Sequence, residues 1–201
     1  MRAVIICGGS VGEYILDYIE ETDYVICADS GYDHAMKFGI KPDIIIGDMD
    51  SVKADLEDNQ VIVYPQKKDY TDSELALFHA IEKGSSHILM FGMIGTRMDH
   101  SYANLSLLLN CKNIDSVIID GNNIIRMVFD KLLLNGAIGD TVSILPFAGD
   151  VQGVTTSGLE YPLIDSTLKI GTSLGVSNKM TQTECCVTVR KGTALVIRSN
   201  D

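Results

Sequence analysis

The sequence contains no tryptophan and no apolar run approaching the roughly 18 residues that a membrane helix requires. Its five cysteines are odd in number and form no Cys-x-x-Cys pair, so neither a disulfide framework nor a zinc site is predicted. The first residues, "MRAVIICGGS", lack the long apolar region of a secretory signal peptide. We therefore expect a cytoplasmic protein with reduced cysteines and no membrane contact.

Positive charge is scarce in the first part of the chain. Residues 1–121 carry 9 Lys and Arg against 20 Asp and Glu, a net charge of −11, whereas residues 122–201 carry 7 of each. An acidic surface disfavours nucleic-acid phosphates and favours metal ions or cationic ligands. At 201 residues, the chain is long enough for one large domain or two small ones.

The first part alternates apolar runs with helical patterns. Runs rich in Ile and Val predict strands at 2–7, 24–28, 43–47, 61–64, 87–92 and 115–120, and helical patterns lie between them at 12–21, 32–39, 71–84 and 99–110. Thr71 and Glu74 form a predicted capping box at the start of the third helix. Continuous apolar strands that alternate with helices are typical of a doubly wound, mostly parallel α/β sheet. We predict such a domain over residues 1–121, with its ligand beyond the carboxyl ends of the strands.

From residue 122 the pattern changes to apolar runs separated by turns. Predicted strands are "IIRMVFDKLLL", "DTVSILPF", "GVTTSGLEYPL", "ECCVTVRKG" and "TALVIRS". Eight glycines fall in this part, and no helical pattern is found in it. Short strands at close spacing indicate a small antiparallel sheet structure. We predict an all-β sandwich over residues 122–201, with a barrel as the alternative.

Polar residues cluster directly after four of the predicted strands of the first domain. These clusters are Asp29, Ser30 and Gly31; Gly47, Asp48, Asp50 and Ser51; Lys67, Lys68, Asp69, Thr71 and Asp72; and Gly95, Arg97, Asp99 and His100. A lone Asp-x-Asp is more often a turn with capping aspartates than a metal site. Four converging acidic clusters, however, persist most readily around a cation. Because the ligands are oxygens only, Mg²⁺ or Mn²⁺ is favoured over zinc, and a phosphorylated substrate is expected with it.

Two residues of the fourth cluster, Arg97 and His100, have competing interpretations. Arg97 lies between a glycine-bearing loop and a helix start, where its guanidinium can bind a phosphate, or it can pair with Asp99 at the surface. His100 is either a nucleotide contact or a structural residue at the helix start.

Asp43 precedes the isoleucines of its strand, so we expect it at the opposite end of the strand, in a turn or capping role. No Walker A loop, protein-kinase motif or G-x-G-x-x-G after the first strand is found, so a nucleotide would be held largely through metal and Arg97.

Several motifs resemble those of thiamine pyrophosphokinases (thiamine diphosphokinases) in order and spacing. They are "ADSG" (28–31), "GIKPDIIIGDMDSV" (39–52), "KDYTDSELAL" (68–77), "GTRMDHSYANLSLL" (95–108), "GLEYPL" (158–163) and "GTSLGVSNKM" (171–180). The resemblance spans nearly the whole chain. It implies transfer of a pyrophosphoryl group from ATP to the hydroxyl of thiamine, giving thiamine diphosphate and AMP.

The resemblance also implies roles for individual residues. Mg²⁺ would be held by Asp48, Asp50 and Asp72. The ATP site would be lined by Asp29, Ser30, Gly31, Arg97, Asp99, His100 and Asn104. Thiamine would be placed by Ser177 and Asn178 together with Asp72. Arg97 would take part in catalysis, and Asp72 or Asp69 would accept the hydroxyl proton.

At the level of domains and subunits, the resemblance implies a Mg-ATP-binding catalytic domain over residues 1–121 and a thiamine-binding domain over 122–201. It further implies a homodimer whose active sites lie between the first domain of one subunit and the second domain of the other. Met49, Ser30 and Thr96 depart from the family pattern, and no tryptophan is present to stack on thiamine. Rival hypotheses are another Mg-dependent phosphotransferase or nucleotidyltransferase acting on a small alcohol, and a non-catalytic sensor of a cationic metabolite or metal.

Overall fold

The computed structural model describes residues 1–48, 61–63, 65 and 69–200. The chain divides into two compact units, Met1–Gly121 and Asn122–Asp201. No helix in the described part has the length and apolar character needed to cross a membrane.

Six strands of the first unit form a parallel sheet. The strands are β1 (Arg2–Ile6), β2 (Tyr24–Ala28), β3 (Ile44–Gly47), β4 (Val61–Val63), β5 (His87–Phe91) and β6 (Asp115–Asp120). They lie in the order β4-β3-β2-β1-β5-β6, and all neighbouring pairs are parallel. Strands β2, β3 and β4 therefore lie on one side of β1, and β5 and β6 lie on the other side. The strand order reverses between β1 and β5, and a crevice at such a point is the usual ligand site of an open parallel sheet.

Three α-helices accompany this sheet. They are α1 (Gly31–Lys37), α2 (Asp72–Glu82) and α3 (Met98–Leu107), and short 3₁₀ helices cover Glu13–Asp17 and Leu108–Cys111. The capping prediction for α2 is confirmed on the threonine side, because Thr71 Oγ1 accepts a hydrogen bond from the Glu74 N–H over 3.2 Å. All six predicted strands and three of the four predicted helices are present.

The helix predicted over residues 12–21 is wrong. Only Glu13–Asp17 is helical, as a 3₁₀ turn without a side-chain cap at Gly12. Acidic residues at positions 17, 20 and 21 follow its start, and negative charge at a helix carboxyl end opposes the helix dipole. An α-helix over this segment would therefore end in an unfavourable field.

The second unit is an antiparallel β structure. Its strands are β7 (Asn123–Val128), β8 (Lys131–Asn135), β9 (Thr141–Ser157), β10 (Ser166–Leu168), β11 (Asn178–Lys179), β12 (Glu184–Thr188) and β13 (Lys191–Ser199). The order is β7-β13-β9-β12-β8, and β10 and β11 also pair with β9. Its apolar core includes Val142, Ile144, Val154 and Val187. The chain thus combines parallel and antiparallel strands with few helices.

The long strand β9 replaces two predicted strands. Its first part pairs with β13 and its last residues pair with β12. The backbone reaches a positive φ angle at Ala148 (+59°), where the register with β13 shifts between Phe147 and Gln152. It does so again at Gly153 (+70°), between the residues that pair with β13 and those that pair with β12, and such conformations bend a strand. The segment "GLEYPL", predicted as part of a strand, lies beyond the end of β9 at Ser157.

Candidate active site

A cavity of about 470 Å³ opens in the first unit at the carboxyl ends of the parallel strands. It lies where the strand order reverses, between the segments that follow β1 and β5. Its lining residues are Cys7, Gly8, Gly9, Ala28, Asp29, Ser30, Asp48, Tyr70, Thr71, Asp72, Ser73, Gly92, Met93, Gly95, Thr96, Arg97, His100, Ser101 and Asn104. Seven residues predicted for the site, from four separate strand ends, are thereby brought to one cavity.

Three carboxylate residues converge around Gly47, the last residue of β3. A Cβ atom at Gly47 would lie 3.1 Å from Cβ of Asp29 and 3.2 Å from Oδ1 of Asp72. Asp48 follows directly and lines the same cavity. The absence of a side chain at Gly47 therefore makes room for its two carboxylate neighbours.

The backbone at Asp29 is unusual. Its φ angle of +46° lies in the left-handed region, which is unfavourable for a residue with a side chain. Two backbone hydrogen bonds hold this turn: Asp29 N–H donates to the Ile46 carbonyl over 2.9 Å, and Tyr32 N–H donates to the Asp29 carbonyl over 3.0 Å. The turn places Asp29 beside Gly47.

The donor set fits a magnesium ion in its chemistry. Asp48 and Asp72 line the cavity, and Mg²⁺ usually takes one or two carboxylates together with substrate phosphates and water. Asp50, the third predicted ligand, lies outside the described residues. Within the described residues, no group of three or more His, Cys, Asp or Glu side chains is arranged to hold a metal ion by itself.

Asp72 occupies the first position of α2. Backbone N–H groups at a helix start attract negative charge, so the position suits a carboxylate and, beside it, a phosphate. Asp69, predicted as an alternative proton acceptor, is exposed and is not among the described lining residues of the cavity.

Arg97 pairs with Asp99, as one of its two interpretations predicted, and it also lines the cavity, while the phosphate contact of the other interpretation stays a prediction. Its Nη2 lies 2.6 Å from Oδ2 of Asp99, with Nε 3.2 Å from Oδ1. The hydrogen bond from Arg97 is the main cause that lowers the pKa of Asp99 to about 2. Asp99 is not among the described lining residues of the cavity. It contacts the lining residue Arg97 and so holds the Arg97 guanidinium in place.

The start of α3 carries three further lining residues. His100 is exposed, whereas Ser101 and Asn104 are buried. Ser101 Oγ accepts a hydrogen bond from Gly95 N–H over 3.1 Å and lies 3.0 Å from the Arg97 carbonyl, to which it can donate. Asn104 Nδ2 donates to the Met93 carbonyl over 2.7 Å. These bonds fix the loop that ends at Arg97.

Gly8 and Gly9, which the sequence analysis did not assign to the site, form the part of the cavity next to β1. A Cβ atom at Gly9 would collide with the carbonyl oxygens of Gly92 and Ile94. Gly31, predicted as an ATP contact, is buried, and a Cβ there would collide with the Ile6 carbonyl oxygen. The missing side chain at Gly31 therefore allows α1 to pack against β1. Gly31 is not among the described lining residues of the cavity.

Cys7 lines the cavity as a buried thiol. Burial, with a smaller contribution from the Asp72 carboxylate, raises the pKa of its thiol to about 12. A neutral thiol at pH 7 is a weak nucleophile and a weak metal ligand.

In the second unit, the two predicted thiamine contacts are adjacent but differ in environment. Ser177 is exposed and has a φ angle of +57°. Asn178 is buried: its Oδ1 accepts from Tyr161 N–H over 3.0 Å, and its Nδ2 donates to the Tyr161 carbonyl over 2.6 Å. Asn178 thereby fixes the backbone of Tyr161, whose side chain is 65% exposed.

Family models match both parts of the chain. The model described as "Thiamin pyrophosphokinase, catalytic domain" matches residues 15–119, and "Thiamin pyrophosphokinase, vitamin B1 binding domain" matches residues 131–194. Among relatives, thiamine pyrophosphokinase of Bacillus subtilis (strain 168) is 31% identical over 216 aligned residues, covering 100% of both chains. Thiamine pyrophosphokinase 1 of Arabidopsis thaliana is 25% identical, covering 88% of this chain and 78% of its own.

Solved structures agree with these matches. The crystal structure of thiamine pyrophosphokinase from Bacillus subtilis has a TM-score of 0.91 at 29% identity and covers 100% of both chains. That of thiamin pyrophosphokinase from Geobacillus thermodenitrificans has a TM-score of 0.89 at 28% identity, covering 100% of this chain and 98% of the other. The family resemblance is confirmed by sequence and fold together, and the chain belongs to the thiamine pyrophosphokinase family.

Proposed function

We propose that this protein transfers the pyrophosphoryl group of ATP to the hydroxyl of thiamine, giving thiamine diphosphate and AMP. The observation that carries the proposal is the cavity at the strand ends, where Asp48, Asp72 and Arg97 meet inside the match to the family's catalytic domain. The match of residues 131–194 to a vitamin B1 binding domain supports thiamine as the acceptor.

Mg²⁺ is the proposed cofactor. Asp48, Asp50 and Asp72 would hold it, and when bound it would neutralise charge on the ATP phosphates. The hard oxygen donors of Asp48 and Asp72 in the cavity support this assignment.

The chain's own groups position the reactants and manage charge. As the thiamine oxygen bonds to the β-phosphorus, the bond from that phosphorus to the oxygen of AMP breaks. Arg97 would stabilise negative charge on the phosphates by paired N–H donors. The hydroxyl proton would pass to Asp72 or Asp69; of the two, Asp72 lies at the cavity. The remaining lining residues predicted for ATP are Asp29, Ser30, His100 and Asn104.

Tyr161 is our candidate for the ring contact with thiamine in this tryptophan-free chain. It is the exposed aromatic side chain in the described part of the second unit, where Phe129 and Phe147 are partly buried. Aromatic faces attract cations such as a thiazolium ring. Asn178 would then act by holding the Tyr161 backbone, and exposed Ser177 remains a candidate direct contact.

We further propose a cytoplasmic homodimer that binds ATP and thiamine and no nucleic acid. Residues 1–121 would be the doubly wound catalytic domain and residues 122–201 the thiamine-binding sandwich. Each active site would combine the first domain of one subunit with the second domain of its partner.

One assay tests the function. Purified protein with ATP and Mg²⁺ should release AMP only when thiamine is added. ADP as the product would indicate ordinary kinase chemistry, and pyrophosphate would indicate nucleotidyl transfer. Binding of thiamine without any turnover would instead identify a sensor.

A further inference from the structure

A chain of hydrogen bonds links α2, α3 and the loop after β5. Ser73 Oγ donates to Oδ1 of Asn104 over 2.7 Å, and Asn104 Nδ2 donates to the Met93 carbonyl over 2.7 Å. The amide orientation is fixed by these partners, because only Nδ2 can donate to a carbonyl oxygen. We call Ser73, Asn104 and the Met93 carbonyl the α2–α3 bridge.

The hydrogen bonds at the α2 end have a definite direction. Asn104 Oδ1 can only accept, so the single hydroxyl proton of Ser73 points to it. Ser73 Oγ also lies 3.0 Å from Thr71 Oγ1, and with its proton engaged it must accept there while Thr71 donates. The residues on both sides of Asp72 are therefore connected to each other, and through Ser73 to α3.

The other end of the bridge holds the loop that carries Arg97. Ser101 lies one helical turn before Asn104, so both side chains project from the same face of α3. Asn104 binds this loop at Met93, and Ser101 binds it at Gly95 and Arg97. The same face of α3 thus sets the position of the loop with Arg97 and of the helix start with Asp72.

We propose that Ser73 and Asn104 are positioning residues that set the Asp72 carboxylate relative to the Arg97 guanidinium. Asn104 acts through its hydrogen bonds to Ser73 and Met93 rather than as a direct contact to ATP. The inference rests on the proposed function, since it takes Asp72 and Arg97 as groups that serve Mg-ATP. Misplacement of a reacting group by about 1 Å can lower a rate about 100-fold, so such a bridge matters for catalysis.

A double-mutant cycle tests this proposal. Ser73→Ala should lower kcat about tenfold with the KM for thiamine nearly unchanged, and it should weaken Mg-ATP binding, measured calorimetrically without thiamine. Asn104→Ala should do the same, and the double variant should be no worse than Asn104→Ala alone, because both changes break one bridge. Ser73→Thr keeps the hydroxyl and should restore binding and turnover. Ser106→Ala is the matched control, because Ser106 Oγ donates to the Tyr102 carbonyl on the same helix.

Two results would overturn the proposal. One is additivity of the two substitutions in both Mg-ATP binding and kcat. The other is a normal Ser73→Ala protein beside an Asn104→Ala protein with a raised KM for ATP, the pattern of a direct ATP contact. If Asn104→Ala fails to fold, the contrast between Ser73→Ala and Ser73→Thr decides. A wild-type protein that binds Mg-ATP with this coupling but releases no AMP would refute the proposed function and leave the bridge standing.

Discussion

The carboxylate of Asp72 lies at the start of α2 and beside Gly47. In the proposed function, the phosphates of ATP bind at this position. We predict that Asp72→Asn lowers kcat by about 10- to 100-fold, because it removes a charged group at the reacting centre without changing its size. Initial rates of thiamine-dependent AMP release measure the effect. Glu82→Gln is the control, since it removes one negative charge from the other end of the same helix. Equal, near wild-type rates in both variants would contradict the assignment of Asp72.

Arg97 offers a second test at the level of one side chain. Arg97→Lys should weaken catalysis although the charge is kept, because an ammonium cannot reproduce paired guanidinium contacts to phosphate or to Asp99. The pKa of Asp99 is lowered to about 2, mainly by its hydrogen bond from Arg97. The pair therefore stays ionised between about pH 4 and 9, and the loss should be constant across that range. If the catalytic rate of Arg97→Lys were unchanged, or were lowered only at one end of the pH range, Arg97 would have no role in phosphate binding and would be a surface residue paired with Asp99.

Residues with charged or polar side chains were the predictable part of the site. Asp43 lies just before the start of β3, opposite the end that carries Asp48, as expected, but its carboxylate accepts a hydrogen bond from Val25 N–H of the neighbouring strand β2 over 2.7 Å. Gly8 and Gly9 were not predicted as lining residues, because the closeness of β1 to β5 is set by sheet order. The hydrogen bond between Ser73 and Asn104 could not be predicted from local sequence patterns either, since 31 residues separate the two partners.

At the scale of elements, strong apolar runs and a capped helix were predictable, and the β1–β2 connection was not. Its local pattern indicated a helix, but its end is held by tertiary contacts. Asp23 accepts hydrogen bonds from Arg2 Nε over 2.6 Å, from Arg2 Nη2 over 2.8 Å and from Glu20 N–H over 2.8 Å. These contacts join the beginnings of β1 and β2.

Asp23→Asn should therefore lower the free energy of unfolding at pH 7 by about 2 kcal/mol, measured by urea denaturation. Burial raises the pKa of Asp23, but the hydrogen bonds from Arg2 and Glu20 N–H and the Arg2 charge outweigh it, so the pKa is lowered overall. A lowered folded-state pKa stabilises the fold above the unfolded value of about 3.9, and this contribution is lost as the pH falls through the folded value. The difference between wild type and variant should thus shrink below about pH 4.

Glu20→Gln is the matched control for this prediction. Glu20 pairs with the same Arg2 at 3.0 Å, but its side chain is 67% exposed, and exposed pairs contribute little. If Glu20→Gln costs as much as Asp23→Asn, general charge rather than the buried hydrogen bonds stabilises this connection.

At the scale of the whole molecule, the change of sequence pattern near residue 122 coincides with the boundary between the two units at Gly121. The sequence did not predict that one strand, β9, would pair with β13 and then with β12. Register and bends depend on long-range pairing, so local patterns cannot specify them. The arrangement of subunits is also beyond local pattern, and it needs a test of its own.

Subunit complementation tests the proposed dimer. Asp72→Asn impairs the first unit, and Tyr161→Ala, assayed at low thiamine, should impair the second. If each active site combines units of two subunits, a mixed dimer of these variants contains one site with both changes and one site with neither. After refolding from an equimolar mixture, about one quarter of all sites should be intact. If each active site is built within a single subunit, the activity of the mixture would not exceed the average of the two variants. That result would refute the shared arrangement and would not bear on the proposed reaction.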